Sequence, residues 1–157
     1  MANSAGVANS FKSEVMLGQH QLGASTITSR TSLTSPTADT VKAALYLASA
    51  SIGPTTAAYT ATGECAVAGG YSAGGITVTN ATAPSTSSGV GIWTPSASLV
   101  FSNITPGGAV DCVLIYNATQ SNKAIEVCTF ASQTVSAATL TLTMPANDST
   151  NALLRIA

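Results

Sequence analysis

Val110-Asp-Cys-Val-Leu-Ile-Tyr116, Asn117-Ala-Thr-Gln-Ser-Asn-Lys123 and Ala124-Ile-Glu-Val-Cys-Thr-Phe130 run consecutively: two apolar segments joined by a small, polar connection. The second segment alternates. Ile125, Val127 and Thr129 share one face, and Glu126, Cys128 and Phe130 share the other, which predicts an antiparallel hairpin. Beyond it, residues 135–143 interleave leucine with threonine, the pattern of a sheet wet on one side. Threonine suits that face because its β-branch favours strands while its hydroxyl stays solvated.

Working outward, the period of two recurs along most of the chain. Residues 25–30, 41–49, 64–67, 76–79, 98–102, 110–116, 124–130, 139–143 and 152–156 read as strands, each bounded by Gly, Pro, Asn or Ser. The glycine-rich stretches 69–75 and 83–91 read as flexible loops. One helix is expected, at residues 10–17, capped by Asn9 or Ser10 and closed by Gly18. Two turns are too short to stand alone in water, so the Phe11, Val15 and Met16 side must dock on a sheet or a neighbouring subunit. No βαβ rhythm, linker or fixed-period repeat is present. The expected fold is therefore mainly β: one antiparallel β-sandwich or jelly-roll-like body over residues 23–157, with an N-terminal arm and short helix over residues 1–22.

Composition narrows the function. The chain has 157 residues, 5 Lys+Arg against 6 Asp+Glu, and only 7% charged residues, where roughly 25% is usual. A net charge of −1 with five scattered cations cannot neutralise a run of phosphates or hold an anionic lipid surface, so neither nucleic acid nor membrane is an expected partner. Mean hydropathy of +0.35 with almost no net charge argues for a packed protein rather than a disordered one. Residues 1–10 have no cationic and apolar succession of a secretory signal, and no apolar run approaches a membrane span.

Reactive chemistry is sparse. His20 is the single histidine, so a His-rich metal site cannot be assembled, and no cofactor is implied. As a catalytic base His20 would need an orienting carboxylate, for which Glu14 or Asp39 are candidates, and one of many serines; a structural or surface role is the stronger reading. Glu64 and Glu126 read as solvent-facing charges that discourage edge pairing. The 69–75 loop lacks the lysine and strand-turn-helix setting of a phosphate cradle. Cys65, Cys112 and Cys128 have no C-x-x-C spacing and read as buried free thiols, with a disulfide or an intersubunit cross-link as the alternative. Asn80, Asn103, Asn117 and Asn147 begin Asn-x-Ser/Thr sequons that matter only in a eukaryotic secretory route. Trp93 with Tyr46, Tyr59, Tyr71 and Tyr116 could form a carbohydrate platform, although core anchoring is the commoner use. No catalytic residue is assigned. What remains is a scaffold that assembles through low-charge faces, with Phe11, Val15 and Met16 as the expected assembly contact.

Several segments also carry a resemblance. Asn9-Ser-Phe-Lys-Ser-Glu-Val-Met-Leu-Gly-Gln-His20, Val41-Lys-Ala-Ala-Leu-Tyr46, Ala58-Tyr-Thr-Ala-Thr-Gly-Glu64, Gly70-Tyr-Ser-Ala-Gly-Gly75, Leu114-Ile-Tyr-Asn-Ala-Thr119 with Asn122-Lys-Ala124, and Asn151-Ala-Leu-Leu-Arg-Ile-Ala157 resemble small virion structural proteins of tailed bacteriophages. The likeness spans nearly the whole chain in one order; the three cysteines depart from it. It implies a particle component without enzymatic activity, assembled in the bacterial cytoplasm. The implied placement is a capsid decoration, or cement, protein, trimeric and bound to the major capsid protein. A tail or neck piece such as a collar, fibre anchor or baseplate part is the alternative, and a glycan-acting enzyme or adhesin module is a distant third.

Overall fold

A computed structural model of the chain describes residues 3–16, 18, 20, 22–23, 37–79 and 83–157, leaving out the side chains of Lys12, Ser13 and Met16. The elements in order are β1 (Gly6–Val7), α1 (Asn9–Met16), β2 (Val41–Leu47), β3 (Ile76–Thr77), β4 (Ser85–Ser87), β5 (Val90–Trp93), β6 (Leu99–Ile104), β7 (Val110–Asn117), β8 (Lys123–Gln133), β9 (Ala138–Leu142) and β10 (Leu154–Ile156). They form a five-stranded sheet ordered β1-β8-β7-β2-β3, a three-stranded sheet ordered β10-β5-β4 and a β6-β9 ribbon. Every pairing is antiparallel. The protein is thus mainly β and antiparallel, as the two-residue period predicts. The described strands make three sheets rather than the paired four-stranded sheets of a jelly roll.

The β7–β8 hairpin is the axis of the fold. β7 is an almost unbroken apolar run, and a strand with that pattern must be covered on both faces. Cys112 through Asn117 are all buried, as are Ala43 through Tyr46 on β2 beside it. Tyr46, Leu45, Leu114, Ile115 and Ile125 meet Trp93, Leu99, Phe101 and Ile104 in one core. The ribbon keeps its alternation: Leu99 and Phe101 are buried while Val100 lies open, and Leu140 and Leu142 are half-buried between exposed threonines.

Several expectations change. The 83–91 stretch is not a loop but the β4–β5 hairpin, closed by Ser88 and Gly89 at φ 50° and 80°. Positive φ at both central residues matches the right-handed twist of the flanking strands. The 64–67 strand reduces to one bridge, Tyr46 to Glu64. The strand expected at 25–30 lies outside the described residues.

The largest correction concerns the N-terminus. Residues 3–16 are built into the body instead of extending from it. Asn3 Nδ2 donates to Leu47 O and Asp111 Oδ1, and its Oδ1 accepts from Ile52 N–H. β1 pairs with β8, Ala8 N–H donates to Ile125 O, and Asn9 N–H donates to Pro54 O. Phe11 is 3% exposed and belongs to the chain's own core; Val15 packs against that core, and the Met16 side chain lies outside the described residues. An apolar face on two helical turns is satisfied by the nearest sheet, which here is its own, so Phe11 is not a displayed assembly contact. Across the expected boundary at residues 22 and 23, β1 joins the sheet of the second segment.

Candidate functional site

His20 is the centre of a buried polar chain. Gly18, at φ 68°, follows α1 with its N–H on Val15 O. The His20 side chain is fully buried, its Nε2 lies 2.8 Å from Glu14 Oε2, and Lys123 Nζ sits 2.6 Å from Glu14 Oε1. On the other side Asn117 Nδ2 is 3.1 Å from His20 Nδ1 and 2.6 Å from Asp39 Oδ2. The Asn117 amide cannot be turned round, because its Oδ1 accepts from Thr119 N–H and Gln120 N–H. Nδ2 is therefore the donor to Nδ1, which places the imidazole proton on Nε2, facing Glu14. Phe11 covers the ring edge-on, with centroids 4.7 Å apart.

Both carboxylates suggested as partners for His20 are present, Glu14 directly and Asp39 through Asn117. Asn117, read from the sequence only as a sequon, and Lys123 were not expected as partners in this chain. Burial pushes the Glu14 carboxyl upward, but hydrogen bonds from Lys123 and His20 outweigh it and hold the group below the ordinary glutamate range. Both imidazole nitrogens are committed to protein partners, so the ring has no lone pair facing a bound molecule. The arrangement is a clasp between the N-terminal segment and the hairpin. Burying Asn117 completely also closes the sequon at that position.

A second centre gathers all four tyrosines around Glu64. Tyr59 OH donates to Glu64 Oε2 at 2.6 Å, while Tyr71 OH and Gly74 N–H reach Oε1, each at 2.7 Å. Tyr116 OH donates to Gly74 O, Tyr46 OH donates to Thr60 O, and the Tyr59 and Tyr116 rings stack at 4.9 Å. Gly75 allows the loop to come this close: a side chain there would lie 1.8 Å from Ala43 O, and its φ is 70°. Burial and then the Glu64 charge raise the Tyr71 and Tyr59 phenols. Glu64 is thus an internal anchor rather than a solvent-facing charge. Tyr46, Tyr71, Tyr116 and Trp93 are buried, so no flat aromatic platform is offered to a sugar. Glu64→Gln keeps the shape but weakens charge-assisted bonds, and should cost about 1–2 kcal/mol in urea denaturation. Parental stability would show that the tyrosines need no carboxylate.

Glu126 is the other internal acid. Its alternation with Ile125 and Val127 places it on the second face of β8, which β1 and β10 flank instead of leaving open to water. Burial raises its carboxyl to about 8, against a small opposing pull from Arg155, and Oε2 meets no hydrogen-bond partner among the described residues. The three cysteines are free thiols, so the considered disulfide is not formed. Burial raises Cys65 to about 11 and Cys112 to about 12, and raises Cys128 as well, so all three are unreactive near neutrality.

Charge is therefore an interior commodity. Glu14, Asp39, Lys42, Glu64, Asp111, Lys123 and Glu126 are buried or half-buried, while Arg155 and the Asp148 carboxyl lie open among the described residues. No helix among them is long and apolar enough to cross a membrane, and no cluster of His, Cys, Asp and Glu among them could hold a metal ion. No protein-family model, curated protein or solved structure matches the chain.

Proposed function

We propose that this chain is a structural component of a bacteriophage particle, placed on the shell as a decoration protein that binds the major capsid protein and copies of itself. The observation that carries the reading is the charge-poor exterior: among the described residues only Arg155 and Asp148 present open charges. Faces built from threonine, serine, alanine and isolated apolar residues such as Val100 and Val67 lose little hydration free energy when they meet. Broad contacts of this kind become strong when closed symmetry repeats them over a lattice. With Phe11 spent on the chain's own core, the assembly surface in this reading is the outer sheet face rather than an N-terminal arm.

The test is the number of copies per particle. Band intensities on purified virions, referred to the major capsid protein, should give hundreds of copies. About a dozen or fewer would place the protein in the tail or neck, where closed rings are small. Absence from purified particles would overturn the reading altogether. The isolated protein should scatter light as an oligomer, a trimer in this placement, and a strict monomer at high concentration would count against self-association.

A further inference from the structure

We propose that the channel between the open edges of β1 and β10 takes an extended segment of a partner chain, apolar on one face and carrying a lysine or arginine that reaches Glu126. The proposal stands apart from the virion reading and would hold for any partner with that chemistry.

Ladder parity shows which main-chain groups face the channel. Ala8 N–H bonds Ile125 O, so residues 6 and 8 turn toward β8 and the N–H and C=O of Val7 turn away from it. In the other sheet the Ser88-Gly89 turn closes the Ser87–Val90 pair, so the main-chain groups of Ile92 meet β4 and those of Gly91 and Trp93 meet β10. Leu154 and Ile156 complete those bonds, which leaves the N–H and C=O of Arg155 pointing outward. Val7 and Arg155 line the same two adjoining hollows, of about 390 and 440 Å³. Pro54 O takes the Asn9 N–H beyond the end of β1, so each edge offers the channel the main-chain groups of one residue, Val7 and Arg155, as a short template for strand addition.

The lining selects the segment's chemistry. Phe11, Val15, Leu154 and Ile156 give one hollow an apolar wall, and Ile156 is 60% exposed at its rim. The neighbouring hollow holds Glu126, which lies opposite Val7 in the β1–β8 ladder and shares its face. Glu126 Oε2 is buried without a donor among the described residues, and Arg155 spends a guanidinium N–H on Thr150 O and forms no ion pair with it. A buried carboxylate lacking a donor favours a ligand that brings one. Alternation of side chains at a spacing of two lets one strand fill the apolar wall and place a cation over Glu126.

The probe is the capped octapeptide Thr-Val-Thr-Lys-Thr-Val-Thr-Val, titrated into the ¹⁵N-labelled full-length protein. The Val7 and Arg155 amide resonances should move saturably. Replacing the lysine by glutamate should weaken binding at least about tenfold, the equivalent of one charge-assisted contact. N-methylation at alternate amides should abolish it, and Glu126→Gln should shrink the lysine-to-glutamate difference to less than about threefold. The proposal fails if neither amide responds at millimolar peptide, or if both peptides bind alike. It also fails if the two amides shift with protein concentration alone, which would make the channel a contact between copies of this chain.

Discussion

Phe11→Ala should lower the stability of the isolated protein by about 3–5 kcal/mol, a loss read from the urea midpoint with an unchanged slope. Phe11 is 3% exposed, belongs to the main core and covers the edge of the buried His20 ring. Truncating it removes the transfer free energy of a benzyl group and leaves a cavity beside a polar chain that depends on dry surroundings. Deleting residues 1–18 should do more. That deletion also removes the β1 strand, the bonds from Asn3 to Leu47 and Asp111, and the Glu14 carboxylate between Lys123 and His20. The expected product is unfolded or aggregated, not a trimmed body that has lost an arm. A residue used only to grip a neighbour would leave the isolated chain's stability alone. Phe11→Ala at parental stability would therefore return this segment to the role of a displayed arm.

The β7–β8 hairpin was legible because its two strands follow one another in sequence, and β6 and β9 were legible as single strands, although their pairing with each other was not. Ile125 and Val127 alternate with Glu126 and Cys128, leucines 140 and 142 alternate with threonines, and the intervening turns are rich in Asn, Ser and Gly. The β4–β5 hairpin was hidden because Ser85-Thr-Ser-Ser-Gly-Val-Gly91 has the composition of a loop. Its strand geometry comes from pairing with β10, a contact more than 60 residues away in sequence that no local pattern encodes. The polar centres were illegible for the same reason. His20 meets Asn117 across 97 positions and Glu14 meets Lys123 across 109. Glu64 looked like a surface acid until the fold brought Tyr59, Tyr71 and the Gly74 amide to it. Charge sparsity was legible from composition alone; its consequence was not. A chain with so few charges has nevertheless drawn most of the described ones into the body, where Glu14, Asp39, Asp111 and Lys123 tie distant segments together.

Glu126 is where that economy is incomplete, and the resulting pH dependence has a definite sign. Folding raises its carboxyl from 4.5 to about 8, chiefly through burial. The folded state therefore holds the proton more tightly than the unfolded chain does. Below the unfolded value both states are protonated and Glu126 costs nothing electrostatically. As pH rises through that value the unfolded chain ionises while the folded one does not, and stability falls until the folded group also ionises near pH 8. Glu14 works in the opposite sense: its lowered carboxyl supplies stability above its unfolded value that is lost as pH falls. The two contributions overlap in the parent, so the difference between parent and variant is the informative measurement. Glu126→Gln should match the parent at about pH 4 and exceed it by on the order of 3 kcal/mol at about pH 8.5, most of the gain accruing between the two values. A constant offset across that range would show that Glu126 is hydrated or paired in solution. An acid that weakens the isolated fold above pH 5 is consistent with the proposed docking contact, because a cation brought by a partner converts the same carboxylate from a cost into a bond.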